Sequence, residues 1–290
     1  MAPSAGSLVY LHGVGGARPG WDEPLRDALP SGTARIAVDY ADLLADAPVA
    51  VVPPALPVSP PAPRPPHDVH RQAYVQRQRA LADALEAAGE SVPRGMTWPA
   101  GLPRPGDLPD RLPLPRVLRT PLFGLDQVGR YLDSPDRRAA VQERVIAALL
   151  DAPPPVVVVG HSLGSVVALE ALGDPRVRVR MLVTAGSPLA HSAVADALAP
   201  GAFPYARVGH WLNVVHLLDP VPFGRGLGPR FPAAHDAFLP VLAGIDARTV
   251  ASTVAGVGRL ATAHLESTYL RSRTFAVALH VALPSVGVAA

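Results

Sequence analysis

The sequence of 290 residues contains no cysteine and no lysine, and Asn213 is its only asparagine. The lack of cysteine excludes a disulfide framework, a thiolate metal site and a cysteine nucleophile. Because all 26 basic residues are therefore arginine, the sequence pI of about 9.3 does not report a large positive charge. With 24 acidic residues the formal net charge is +2, which gives no reason to expect a nucleic acid or an anionic membrane as partner.

Long apolar runs are also missing. No segment offers the roughly 20 consecutive apolar residues that a membrane span needs. The first residues, "MAPSAGSLVYLHG", lack the basic region and the long apolar stretch of a secretion signal. We therefore expect a cytoplasmic protein without a membrane span. The chain has no His-Glu-x-x-His motif either, and we expect neither a metal nor another cofactor.

What the sequence does contain is a regular alternation of short apolar stretches and helical patterns. The stretches that predict strands are 7–12, 34–40, 155–159, 177–186 and 211–219. The segments that predict helices are 21–29, 67–89, 134–152, 162–172 and one opened by Ser187 and Pro188. Apolar strands that alternate with helices are typical of a parallel sheet covered on both faces. We predict an α/β fold with a mostly parallel sheet of about five or six strands.

A proline-rich segment interrupts this alternation. Residues 44–125 contain stretches such as "PPALPVSPPAPRPP" on either side of the predicted helix. Such stretches favour extended conformations and do not supply central strands. We therefore divide the chain into an α/β core, residues 1–43 and 126–290, and an insertion, residues 44–125. Because the insertion leaves from a strand end, we favour a lid over the active site, and a stiff surface excursion is the alternative.

One stretch carries a motif for chemistry. In "VVVVGHSLGSVVALEAL", residues 156–172, Ser162 stands in a Gly-x-Ser-x-Gly pattern between an apolar strand and a helix. Glycines that serve packing and a serine that caps a helix would also explain this pattern. However, Asp219 follows a later strand and His264 comes after it, which gives the chain order Ser, Asp, His. Because the carboxyl ends of parallel strands share one edge of the sheet, these side chains are candidates for one site.

With these motifs the sequence resembles the α/β-hydrolase superfamily, in particular its lipase- and esterase-like members. The resemblance covers residues 7–43 and 126 to about 275 and rests on "HGVGG", "GHSLG", "TAGSPL" and "WLNVVHLLDPV". It implies that Ser162 is the nucleophile, Asp219 the acid and His264 the base. It also implies an oxyanion hole formed by the backbone N–H groups of Leu163 and Val14.

Several alternatives stay open at this point. Gly15 is the neighbouring candidate for the oxyanion loop, and His235 is the next candidate for the base. For the acid, Asp236 and Asp246 compete with Asp219. Ser187 is more simply a helix start than a second nucleophile. The chain also begins at the strand before the oxyanion loop, so we expect a sheet that lacks the first antiparallel strands of the full fold.

The function implied is that of a serine hydrolase, which cleaves a carboxylic ester or a related acyl bond of a small-molecule or acyl substrate. A thioesterase, an acyltransferase or a peptidase would use the same residues, and a degenerate hydrolase could act as a binding scaffold. A phosphate-binding loop is the weaker reading of "HGVGGARPG", because Arg18 stands where such a pattern needs its last glycine. The oligomeric state stays open.

Overall fold

A computed structural model of the chain describes residues 5–45, 69–90, 126–198, 202–239 and 263–283. Its centre is a six-stranded sheet in the order β2-β1-β3-β4-β5-β6, and all five strand pairings are parallel. The strands are β1 (Ser7–Leu11), β2 (Ala34–Val38), β3 (Val156–His161), β4 (Val179–Ala185), β5 (Val208–His216) and β6 (His235–Leu239). The predicted α/β class with a parallel sheet is confirmed.

The helices lie on both faces of this sheet. They are α1 (Val69–Ala87), α2 (Asp126–Asp133), α3 (Pro135–Asp151), α4 (Leu163–Ala171), α5 (Ser192–Leu198), α6 (Glu266–Leu270) and α7 (Arg273–Ala282). Short 3-10 helices cover Glu23–Leu25, Asp42–Leu44 and Pro188–Ala190. Of the helices described, none combines the length and the hydropathy that a transmembrane helix requires.

The side chains of the central strands alternate between two hydrophobic clusters. In β3, Val156 and Val158 pack with α3 and α4 on one face, while Val157 and Val159 pack with α7 on the other. All residues of β3 are buried. A strand buried on both faces reads as a continuous apolar run, which is why four consecutive valines form a central strand.

Two sequence predictions differ from the structure. The helix predicted for residues 21–29 is only the 3-10 helix Glu23–Leu25, and turns and a bend make up the rest of that segment. The strand β6 escaped prediction, because its five residues "HDAFL" include two polar ones and show no long apolar run. It completes the sheet beside β5.

The helix α1 packs beside the sheet. The pairing of β6 with β5 begins at Leu212, so the preceding residues of β5 need other partners. Gln78 of α1 accepts a hydrogen bond from the backbone N–H of Trp211 at 3.2 Å and donates to its carbonyl at 2.9 Å. Arg77 donates to the carbonyl of Gly209 at 3.1 Å. The helix α1 therefore covers the first half of β5, at the sheet end opposite to the strand carboxyl ends.

The proline-rich stretches on either side of α1 lie outside the described residues. The lid that the sequence predicts there stays a prediction, and so does the division into core and insertion.

Candidate active site

Ser162 occupies the sharp turn between β3 and α4. Its backbone has φ 52° and ψ −120°, a conformation that costs a non-glycine residue about 1–3 kcal/mol and is found mainly at functional sites. Three hydrogen bonds hold the turn. The Ser162 N–H donates to the Ala185 carbonyl at 2.9 Å, and the Ser162 carbonyl accepts from the N–H and the hydroxyl of Ser165 at 3.0 Å and 2.6 Å. The strained turn is thus tied to β4 and to the first turn of α4.

The glycines beside Ser162 allow this turn to pack against β1. A Cβ placed on Gly164 would lie 2.0 Å from the carbonyl oxygen of Leu11. A Cβ placed on Gly160 would lie 2.5 Å from the carbonyl oxygen of Gly164. Both contacts are with backbone atoms, which do not move aside as a flexible side chain would. The Gly-x-Ser-x-Gly spacing therefore has a steric reason in this fold.

The structure brings Ser162, His264 and Asp219 together. The Nε2 atom of His264 lies 3.1 Å from the Ser162 hydroxyl oxygen. On the other side of the ring, Nδ1 lies 3.0 Å and 2.9 Å from the two carboxylate oxygens of Asp219. Because a carboxylate only accepts hydrogen bonds, the neutral ring carries its proton on Nδ1 and turns the lone pair of Nε2 to the serine. This arrangement can take a proton from Ser162.

Asp219 has two further hydrogen-bond donors, neither of which the sequence analysis identified. The backbone N–H of Val221 donates to Oδ1 at 2.7 Å, and the hydroxyl of Tyr269 in α6 donates to Oδ2. The Asp219 side chain has no solvent exposure. Nothing in the spacing of "HLESTYL" distinguishes Tyr269 from an ordinary core tyrosine, so only the structure reveals this contact.

His161, at the end of β3, contacts His264. Its Nε2 lies 2.9 Å from the backbone carbonyl oxygen of His264, and the two rings lie 4.9 Å apart. Burial lowers the pKa of His161 well below its usual value, and the neighbouring His264 adds to this effect. A neutral His161 whose Nε2–H donates to the carbonyl fits both observations.

The loop after β1 passes directly beside Ser162. A Cβ placed on Gly13 would lie 3.0 Å from the Cβ of Ser162. His12 is buried, and its Nδ1 lies 2.5 Å from the Gly13 carbonyl oxygen. The two residues predicted for the oxyanion hole lie in different elements. Val14 follows Gly13 in this loop, and Leu163 is the first residue of α4, directly after Ser162.

The backbone N–H groups near the serine differ in their partners. The N–H of Leu163 is unused by its own helix, because the first N–H groups of an α-helix have no partner within it. The N–H of Gly15, the alternative loop donor, points to the side-chain oxygen of Gln127 at 3.4 Å. In the part of the chain that the structure describes, no hydrogen bond uses the N–H of Val14.

The competing candidates lie elsewhere or have other partners. His235 begins β6 opposite Leu212, at the sheet end away from Ser162. Asp236 accepts hydrogen bonds from Asn213, Leu227 and Gly228. The Ser187 hydroxyl lies 2.7 Å from that of Ser165 and accepts from the Leu189 N–H. Asp246 lies outside the described residues.

Comparison with known proteins adds little to this geometry. No family model matches the chain, and no curated protein matches it with significance. A solved structure that it resembles is acetyl xylan esterase 1 from Thermoanaerobacterium sp., with 14% identity and a TM-score of 0.37. That match covers 94% of this chain and 77% of the esterase. At this degree of similarity neither the activity nor the substrate of the esterase is carried over to this chain.

Proposed function

We propose that the protein is a serine hydrolase that cleaves a carboxylic ester, or a related acyl bond, through an acyl-serine intermediate on Ser162. The observation that supports this proposal is the position of the His264 ring, with Nε2 3.1 Å from the serine hydroxyl and Nδ1 2.9 Å from Asp219. A serine hydroxyl is a weak nucleophile until a base removes its proton. The strained backbone of Ser162 is a second, independent argument.

In the first step, Nε2 of His264 takes the proton from Ser162 while the serine oxygen attacks the acyl carbon. The buried carboxylate of Asp219 stabilises the imidazolium that forms and holds the ring in place. The imidazolium then gives its proton to the leaving alcohol, and the C–O bond to that alcohol breaks. In the second step the same ring takes a proton from a water molecule, whose oxygen attacks the acyl carbon. The imidazolium then returns the proton to the Ser162 oxygen as the bond between that oxygen and the acyl carbon breaks, which releases the free serine and the acid.

The negative charge on the carbonyl oxygen needs donors that are already in place. We propose the N–H groups of Leu163 and Val14 for this role. The support is that Leu163 opens α4, whose N-terminal end carries a partial positive charge, and that the loop of Val14 passes against the serine. One such donor contributes about 3 kcal/mol to transition-state stabilisation.

Labelling with a fluorophosphonate tests this proposal, because the reagent reacts with an activated serine. We expect the wild-type protein to be labelled and to hydrolyse short acyl esters, and Ser162→Ala to lose both while keeping its thermal unfolding temperature. Ser187→Ala is the matched control, since that hydroxyl is also buried but is bound to Ser165 and Leu189. It should keep its labelling.

Two results would contradict the proposal. Labelling that persists in Ser162→Ala would place the nucleophile elsewhere. A folded wild-type protein that neither reacts with the reagent nor cleaves any of a panel of esters, thioesters and amides would favour a binding scaffold. Adding alcohols and amines to the assay reports the acyl acceptor, because a transferase would divert the acyl group from water.

A further inference from the structure

Three hydrogen-bond donors hold the carboxylate of Asp219. It is fully buried, and its oxygens receive hydrogen bonds from the Val221 N–H, the Tyr269 hydroxyl and His264. Within the described ranges, its only ion-pair partner is His264. Because a buried anion has no water to replace a lost hydrogen bond, removal of any one of these donors should strongly change the interactions of the carboxylate.

The direction of the Tyr269 hydroxyl is fixed by its other neighbour. The ring is fully buried, and its oxygen accepts a hydrogen bond from the backbone N–H of His216 at 3.3 Å. Because that amide only donates, the hydroxyl hydrogen is left for Asp219. Burial and the charge of Asp219 raise the pKa of Tyr269 well above its usual value. The phenol therefore stays protonated and acts as a donor.

We propose that Tyr269 is a positioning residue of the active site: its hydroxyl, oriented by the His216 amide, donates to Asp219 and so sets the direction of the carboxylate that holds His264 and the distribution of negative charge over its two oxygens. This inference rests on the proposed function. Tyr269 does not touch the substrate or the serine in this scheme. It acts through the acid, from a helix that begins two residues after His264.

This role has a definite electrostatic consequence. A hydrogen bond from the phenol draws negative charge toward Oδ2, so the carboxylate stabilises the protonated imidazole less strongly than a bare carboxylate would. Removal of the phenol oxygen should therefore make His264 titrate at a higher pH. A stronger phenol donor should shift its titration in the opposite direction.

Other charged and titratable groups near His264 stay the same in this comparison. His161 lies on β3 with its ring 4.9 Å away, and the ion pair of Arg18 with Glu266 joins the oxyanion loop to the start of α6 at 3.5 Å. Ser162 faces Nε2 from the start of α4. A substitution confined to the phenol oxygen leaves all of these groups in place.

The test compares two changes at one position. Tyr269→Phe removes the donor, and Tyr269→3-fluorotyrosine, introduced by codon suppression, keeps the ring and makes the phenol a stronger donor. The titration of His264 is followed by NMR of 13C-labelled histidine, with its signal assigned by its loss in His264→Gln. We expect a higher midpoint pH in the first variant and a lower one in the second.

Ester hydrolysis gives a second readout. In Tyr269→Phe we expect kcat to fall about tenfold with little change in KM, and the acid limb of kcat/KM to move to higher pH. Tyr131→Phe is the matched control, because Tyr131 is also fully buried and donates to a carboxylate, that of Glu170, at 2.5 Å. The control should change stability alone, with the pH profile of the wild type.

The outcomes separate this inference from the proposed function. Opposite shifts of the His264 midpoint in the two variants support the role of Tyr269, whereas unshifted midpoints or shifts in one direction overturn it. If the phenylalanine variant does not fold, the fluorotyrosine variant decides alone by the direction of its shift. A wild-type protein that resists the fluorophosphonate refutes the proposed function, and the NMR midpoints still decide whether Tyr269 acts on His264.

Discussion

Replacing Gly164 by alanine should destabilise the protein far more than one methyl group usually does. The added Cβ would lie 2.0 Å from the carbonyl oxygen of Leu11 and 2.8 Å from that of His12. Both atoms belong to the backbone at the end of β1, and Gly164 lies in the first turn of α4, so relief requires α4 to shift relative to the sheet. Overpacking of a rigid core costs about 1–3 kcal/mol, and a clash between backbone segments belongs at the upper end.

Thermal and urea unfolding measure this effect. A loss of about 3 kcal/mol corresponds to a decrease of about 6–12 °C in the unfolding temperature of a domain of this size. Gly129→Ala is the matched control, because Gly129 also lies in an α-helix and its added Cβ would meet only a side-chain oxygen at 3.9 Å. That substitution should stabilise the protein by about 0.5–1 kcal/mol, because alanine favours a helix.

The Gly164→Ala variant should also react more slowly with a fluorophosphonate, since a displaced α4 moves Ser162 and the N–H of Leu163 together. The reasoning fails if Gly164→Ala unfolds at the temperature of the wild type. It also fails if both glycine substitutions change the stability by the same amount, because the difference between them is purely steric.

Two further predictions concern the sheet around β5. Gln78→Ala should lower the free energy of unfolding by about 2 kcal/mol, because it removes the hydrogen-bond partner of two backbone groups of Trp211. The control is Gln76→Ala, exposed on the same helix, which should change the free energy of unfolding by less than about 0.5 kcal/mol. Equal effects of the two substitutions would contradict the conclusion that α1 covers the first half of β5. Burial lowers the pKa of His210 to about 4, so the unfolded chain binds a proton that the folded one excludes. Above pH 6.5 His210 is neutral in both states and does not reduce stability. As the pH falls toward 4, proton binding by the unfolded chain lowers the free energy of unfolding by about 3 kcal/mol. Urea unfolding between pH 6.5 and 4 should show that the free energy of unfolding of His210→Leu falls less with decreasing pH than that of the wild type. An equal fall in the two proteins would refute the lowered pKa of His210.

The sequence predicted the parts of the fold in which the local pattern and the tertiary environment agree. The four valines of β3 are buried on both faces, and the helices on either side carry apolar residues at helical spacing. The pattern around Ser162 predicted a turn between a strand and a helix, and β3 and α4 meet there. In each of these segments the local pattern favours the same conformation that the tertiary contacts stabilise.

Other features depend on contacts between distant parts of the chain. The strand β6 contains the polar residues His235 and Asp236, and it becomes a strand because β5 offers an open edge and Asn213 binds Asp236 at 2.8 Å. Likewise, the helix α1 was predicted from its pattern, but its place beside β5 depends on Gln78 and on backbone groups 133 residues later. Patterns along the chain do not contain such pairings.

The sequence identified the stretch "TAGSPL" only by its resemblance to lipase-like sequences, and the structure gives a steric reason for its glycine. Its glycine, Gly186, directly follows β4 and has φ +56°. A Cβ placed there would lie 2.9 Å from Oδ2 of Asp219 and 3.2 Å from both Nδ1 of His264 and Cε2 of Tyr269. Any side chain at this position would therefore intrude on the contacts between Asp219, His264 and Tyr269. The absence of a side chain directly after β4 lets these three groups approach one another, so the end of the strand beside β3 shapes the candidate site through a residue that has no side chain.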